Sequence, residues 1–158
     1  MIYAALIALT SVLDLALKSG VESQPDDSYP KEVKGTGGMV QVRKLHNEGL
    51  PLGVMKEHPE LVRCLPLAVA SSLLLRLSLL MPKKGNHLEK AGLACMIGGA
   101  ASNLFDRFFR GYVVDYLYVD KNPASRVVFN LGDVFIAGGT ALAGLAGLLR
   151  AVTGRKRK

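Results

Sequence analysis

Four apolar segments divide this chain, and each approaches the roughly 20 residues a helix needs to cross a bilayer. They cover about residues 1–17, 61–81, 88–105 and 133–152. Inside hydrocarbon a backbone must satisfy its own N–H and C=O groups, which favours helices over irregular chain. The expected fold class is therefore an all-α membrane protein. Its 158 residues would form a single integral-membrane domain with four transmembrane helices and external loops over 18–60 and 106–132. The first segment contains Asp14 but lacks a basic start and a small-residue cleavage site, so it reads as a retained helix rather than a signal peptide.

Charge sets the orientation. The link 82–90 and the tail 150–158 hold eight Lys/Arg in eighteen residues, whereas the two longer polar stretches hold ten in seventy. Lys and Arg accumulate on the cytoplasmic side, so both termini and the 82–90 link are expected there. Asp14, Asp106, Asp115 and Asp133 then fall toward the external face. The net charge of +7 raises the question of nucleic acid. However, no basic stripe with interleaved aromatics is present, and four of the cations form the tail 155–158, which suits anionic phospholipid headgroups. No nucleic-acid partner is expected.

The loop over 18–60 is too long for a mere link. Gly35-Thr-Gly-Gly38 signals a turn, and Met39-Val-Gln-Val-Arg43 alternates as a strand does, so a small external β element is expected. The stretch 22–29 is polar and reads as irregular. Arg76 lies within the second segment and has to reach far to water. Cys64 and Cys95 read as buried small hydrophobes whose sulfurs do not meet. His46, His58 and His87 read as solvated. Gly98, Gly99, Gly138, Gly139, Gly144 and Gly147 suit close helix packing in lipid.

Polar residues kept among apolar ones carry the functional signal, because ionisable groups are expensive near hydrocarbon. Asp14 and Lys18 share a helix face at i, i+4, as a surface ion pair or as part of a site. Asn47, Gly49 and Gly53 mark either a turn or a loop that offers hydrogen bonds to an extended peptide. Asn103 lies one turn before Asp106, and Asp106 with Arg107 reads most simply as an ion pair ending the third segment. Asp115 sits in Val113-Val114-Asp115-Tyr116-Leu117, an apolar run that would raise its pKa. The run reads as lying along the membrane surface, with Tyr112, Tyr116 and Tyr118 at the interface. Asp133 suits an N-cap of the fourth helix, yet Asn130 precedes it by three residues. Asp115 and Asp133 together could share one proton and act as an acid/base pair.

Gly98-Gly-Ala-Ala-Ser-Asn103-Leu-Phe-Asp106-Arg107, Gly111-Tyr-Val-Val-Asp115 and Phe129-Asn130-Leu-Gly-Asp133 closely resemble the signal peptidase II family, the lipoprotein signal peptidases of bacteria. Asp14…Lys18 is similar to its first-helix motif, and Asn47-x-Gly49-x-x-x-Gly53 to its external-loop motif. The resemblance implies four membrane helices in the bacterial cytoplasmic membrane, a small external β-cradle and a short external helical loop before the last span. It further implies an aspartic endopeptidase that cuts diacylglyceryl-modified prolipoproteins on the N-terminal side of the lipidated cysteine. On this resemblance the catalytic dyad is Asp115 and Asp133, with Asp14, Lys18, Asn47, Gly49, Asn103, Asp106, Arg107 and Asn130 lining or supporting the site. No metal or other cofactor is implied, and a monomer is expected. Three departures stand out: the loop after the first segment is longer than the family leads one to expect, Leu50-Pro51-Leu52 replaces the common Ala-Ala-Phe, and Gly132 stands where Ala is usual.

The alternative from another class is a small transporter or proton conduit, since membrane carboxylates also mark ion pathways. A conduit needs acids spread through the membrane depth, whereas these gather toward one face. A metal-dependent lipid-headgroup transferase would cluster several aspartates on one helix, a pattern this sequence lacks. A scaffold leaves the buried polar cost unexplained. The orientation is directly testable: a reporter fused after Lys158 should be shielded in intact cells, while a tag at Asp26-Asp27 should be labelled from outside. External labelling of the C-terminal reporter would invert the bundle.

Overall fold

The computed structural model describes residues 1–50, 54–120 and 127–154. Pro51, Leu52 and Gly53 of the external-loop motif and the basic tail 155–158 lie outside the described residues. All four apolar segments are helices: α1 (Ile2–Glu22), α2 (Pro59–Leu80), α3 (His87–Phe105) and α4 (Leu131–Val152). Three of them, α1, α2 and α4, are long and apolar enough to cross a membrane. α3 is the exception because its composition serves packing. It lies against α1, α2 and α4 and holds nine buried residues, many of them Gly, Ala or Ser. Its neighbours instead turn Leu9, Leu74, Leu75 and Leu148 outward as an apolar belt that water would penalise and lipid would not.

Close approach explains the glycines of α3 and α4 selectively. A Cβ on Gly99 would collide with the backbone oxygen of Gly132, and one on Gly139 with that of Gly92. Gly98 is likewise closed off by Thr10 and Ile7 of α1. Gly138, Gly144 and Gly147 face open space, so the packing expectation fails for those three. Gly92 and Gly132 take their place. At Gly132 a methyl group would sit 2.8 Å from Asp14 Oδ2, so this position admits α4 against both α1 and α3.

The bundle alternates direction. Tyr3 of α1 bonds His87 at the start of α3 (2.8 Å), and Glu89 binds Arg76 near the end of α2 and Arg150 near the end of α4. Arg76 thus ends on a carboxylate 2.5 Å away instead of stretching to water. At the opposite end sits a four-stranded antiparallel sheet in the order β1 (Lys31–Glu32), β2 (Val40–Asn47), β3 (Val113–Val119), β4 (Val128–Phe129). The turns before β2 use positive φ at Gly35, Gly37 and Gly38, as the glycine-rich signal suggested. A single 3-10 turn, Asp26–Ser28, interrupts the irregular stretch before β1.

Several expectations need correction. Val113–Val119 is a buried central strand instead of a surface run, because β2 and β4 both pair with it. Tyr116 and Tyr118 are accordingly buried and not interfacial. α1 extends past Lys18 by a full turn, which puts Asp14 and Lys18 in the protein interior. Cys64 is exposed on α2 and Cys95 half-buried; both are free thiols. His46, His58 and His87 are exposed, yet His46 binds Glu22 and stacks on Tyr112, and His87 binds Tyr3. Of the expected helical loop, the described residues show one π-helical turn, Asp106–Arg110, continuing α3, and residues 121–126 lie outside them.

Gly139→Ala should lower the unfolding temperature of the detergent-solubilised protein, since its methyl meets backbone. Gly144→Ala should leave it unchanged or raise it, gaining up to about 1 kcal/mol of helix propensity. The reverse order would mean that α3 and α4 do not meet along this seam.

Candidate active site

Lys18 is fully buried and lies 2.9 Å from Asp14 Oδ2 and 3.1 Å from Asp106 Oδ2. An ammonium out of water needs such partners, and two carboxylates in turn need a second cation. Arg110 supplies it, 2.6 Å from Asp106 Oδ1. The cluster reaches further through neutral groups. Ser102 donates to Asp14 Oδ2 (2.5 Å) and Tyr116 to Asp14 Oδ1 (3.0 Å), while Asp106 Oδ2 accepts the Val114 N–H (3.1 Å). Burial and the Asp14 carboxylate both push the Tyr116 hydroxyl pKa upward, keeping it a donor. Its oxygen accepts the Leu131 N–H, tying the sheet to the start of α4.

The expected Asp106–Arg107 pair does not form. Adjacent helical residues point to different faces, so Asp106 turns to Lys18 while Arg107 turns to α2 and the loop between β2 and α2. Arg107 Nε donates to Val62 O (3.1 Å) and Nη2 to Gly49 O (2.9 Å). Its Nη1 is buried without a partner among the described residues. Nor is Asp133 the N-cap of α4: that role belongs to Asn130, whose Oδ1 accepts the Asp133 N–H (2.9 Å). Asp133 is the third helical residue, and its Oδ2 accepts the Asn130 N–H (3.1 Å) to close a capping box.

Asp115 and Asp133 come together at one end of a cavity, each oxygen met by an N–H. Asn130 Nδ2 donates to Asp115 Oδ1 (2.8 Å) and Asn47 Nδ2 to Asp115 Oδ2 (3.1 Å). Asn103 Nδ2 donates to Asp133 Oδ1 (2.9 Å). Asn130 therefore bridges both carboxyl groups. A bulge in β2 between Val42 and Leu45 sets the register that pairs Asn47 with Val113. That places Asn47 diagonally across from Asp115 on one face of the sheet. Burial pushes the Asp115 carboxyl up to about 6; the two amide donors oppose the rise and the Asp133 charge adds to it.

The cavity holds about 620 Å³ and runs from this polar end between α2 and α4, floored by α3. Its walls include Leu65, Pro66, Val69 and Leu73 of α2, Met96 and Ala100 of α3, and Ile136 and Ala137 of α4. α2 and α4 both pack on α3 but scarcely on each other, which leaves the gap. Two carboxyl groups that can share a proton, set at the head of an apolar trough, can activate water against an acyl group carried by an apolar chain.

Asp14, Lys18, Asn47, Gly49, Asn103, Asp106, Arg107, Asp115, Asn130 and Asp133 all join this one network. Sequence reasoning missed Ser102, Tyr116 and Arg110, together with the contribution of α2. Ser102 lies four residues before Asp106 on the same face, a spacing that could have flagged it. α2 offers only apolar side chains to the cavity and left no signal.

The family described as signal peptidase (SPase) II matches residues 6–149. A lipoprotein signal peptidase from Caldicellulosiruptor bescii is 34% identical over 142 residues, covering 90% of this chain and 87% of that protein. One from Methylobacterium sp. (strain 4-46) is 33% identical over 145 residues, with 92% and 84% coverage. Among solved structures, a bacterial membrane enzyme determined by the in meso method at 2.3 Å resolution superposes with a TM-score of 0.77 at 19% identity, covering 99% of this chain and 92% of that one.

In a ¹³C NMR titration the Asp115 carboxyl should show a midpoint near 6. Asn47→Ala removes a donor to the charged form, so the midpoint should move to higher pH. An Asp115 midpoint in the ordinary range near 4 would contradict its burial.

Proposed function

The chain belongs to the signal peptidase II family, and on that premise we propose that it is an aspartic endopeptidase whose dyad is Asp115 and Asp133. It is a protease that removes signal peptides from prolipoproteins. The finer reading is that the substrate cysteine already carries diacylglycerol and that the cut falls on its N-terminal side. The observation that carries the proposal is the meeting of Asp115 and Asp133, bridged by Asn130, at the head of the apolar cavity.

The substrate's signal segment would lie in the trough between α2 and α4. The ionised carboxylate takes a proton from water as the water oxygen bonds to the scissile carbonyl carbon. The protonated carboxyl hydrogen-bonds the carbonyl oxygen, which receives the C=O electron pair. Collapse of this adduct breaks the C–N bond, and the leaving amine takes a proton from the dyad. Asn47, Asn103 and Asn130 hold the carboxyl groups in place, while Arg107 Nη1 offers a donor to the substrate backbone. No cofactor enters this scheme.

We read α3 as the fourth span, made less apolar by its interior position, with both termini cytoplasmic and the dyad toward the external face of the bacterial cytoplasmic membrane. Phospholipids surround the apolar belt, and a monomer contains every residue the scheme uses. The proton-conduit alternative fares worse. The buried carboxylate at the opposite end, Glu89, is clamped by Arg76 and Arg150 and is thereby removed from proton traffic.

Incubation with a diacylglyceryl-modified prolipoprotein should release the signal peptide. Asp115→Asn and Asp133→Asn should each abolish cleavage while the protein stays folded, and exhaustive chelation should leave the wild-type rate intact. Substantial activity in Asp133→Asn would reduce that residue to its capping role. Metal-restorable loss under chelation would favour the transferase.

A further inference from the structure

Three asparagines feed the dyad, and in each the carboxamide has a direction. A carboxamide presents an acceptor on one side and a two-hydrogen donor on the other, and a flip exchanges them. For Asn130 and Asn47 the direction is fixed locally: the oxygen of each faces a backbone N–H, of Asp133 and Gly49 respectively, which can only donate. Asn103 lies inside α3, where no free backbone N–H is at hand. Its Oδ1 is instead met by the Lys18 ammonium at 2.7 Å, while its Nδ2 donates to Asp133 Oδ1 at 2.9 Å.

An ammonium has donors and no acceptor. A flipped Asn103 would set its NH₂ against Lys18 and its oxygen against the Asp133 carboxylate, so both contacts would turn repulsive. We propose that Lys18 is a positioning residue for the hydrolysis, acting through Asn103: it fixes the polarity of that carboxamide so that an N–H always faces Asp133. Lys18 is fully buried and does not line the cavity, so it touches neither substrate nor the reacting atoms. Asp14, Asp106 and Ser102 hold its Nζ in place, and Arg110 balances the second carboxylate. The ion cluster is thus the fixed end of a relay that runs Lys18–Asn103–Asp133. The inference rests on the reading of Asp133 as a dyad member.

The test is a double-mutant cycle with the full-length enzyme and a diacylglyceryl-modified prolipoprotein peptide. Lys18→Met should lower kcat about 10²-fold, the scale on which a displaced catalytic group loses rate, with KM little changed. Asn103→Leu, which leaves the ion cluster whole, should cause a similar loss. In the Asn103→Leu background, Lys18→Met should then cost little more, because the relay is already cut. An equal Lys18→Met effect in both backgrounds, or an effect confined to KM, overturns the proposal.

Should Lys18→Met not fold, the wild-type enzyme in bilayers decides through ¹⁵N–¹³C dipolar contacts. Asn103 Nδ2 should lie against Asp133 Cγ; Nδ2 turned toward Lys18 overturns the proposal. Failure of the wild-type to cleave at all would instead remove the peptidase reading on which the relay depends. Cleavage with a background-independent Lys18→Met effect removes the relay alone.

Discussion

One buried ammonium organises the molecule. Moving Lys18 out of water costs several kcal/mol, and that cost is met only while Asp14 and Asp106 stay in contact with it. The requirement fixes α1 against α3 at one height. Because Asp106 also takes the Val114 N–H and Asp14 takes the Tyr116 hydroxyl, β3 is drawn onto the end of the bundle. Tyr116 in turn receives Leu131 at the start of α4. A charge that must be neutralised therefore sets the mutual positions of three helices and the sheet.

Packing allows this arrangement to close. With lipid on the outside there is little hydrophobic drive between helices, so close backbone approach has to hold them. Gly92 and Gly99 of α3 meet Gly139 and Gly132 of α4 without a side chain between them. The seam brings the N-terminus of α4, with Asn130 and Asp133, within reach of Asn103. α2 is held differently, by Leu77 and Leu80 against Leu93 and Ile97 and by the Arg76–Glu89 pair, mostly toward the end away from the dyad. Near the dyad, Arg107 reaches the Val62 carbonyl of α2, but α2 and α4 stay apart. The cavity is the space that results.

The environment of Asp115 and Asp133 is uneven in origin but uniform in chemistry. Asp115 is on a strand and Asp133 in the first turn of a helix, yet all four of their oxygens are met by asparagine N–H groups. Amides suit this position because they restrain a carboxyl group without adding charge; in the proposed mechanism, proton sharing is then governed by burial and by the partner carboxylate. Of the charged residues, Lys18 lies one step further out, against the Asn103 carboxamide, while Arg107 lines the cavity and holds the Gly49 carbonyl of the loop that carries Asn47.

The linear sequence determined the helices, because a run of apolar residues long enough to span hydrocarbon has few other ways to satisfy its backbone. It also singled out polar residues that the fold brings into one network: Asp14, Lys18, Asn103, Asp115, Asn130 and Asp133 stand out among apolar neighbours. The turn glycines before β2 were legible from their backbone freedom. Partners were not. Asp106 and Arg107 are neighbours in the chain but face apart on the helix, so only the fold sends one to Lys18 and the other to Gly49. Tyr116 looked interfacial because strand pairing, a long-range contact, is invisible in a local apolar run. The glycines that pack and those that do not are identical in sequence, and only the crossing of α3 with α4 separates them. α2 had no polar residue to announce its place in the cavity. Residue type set the chemistry that was possible; tertiary contacts chose each partner, because hydrogen bonds and ion pairs depend on distances that sequence separation does not encode.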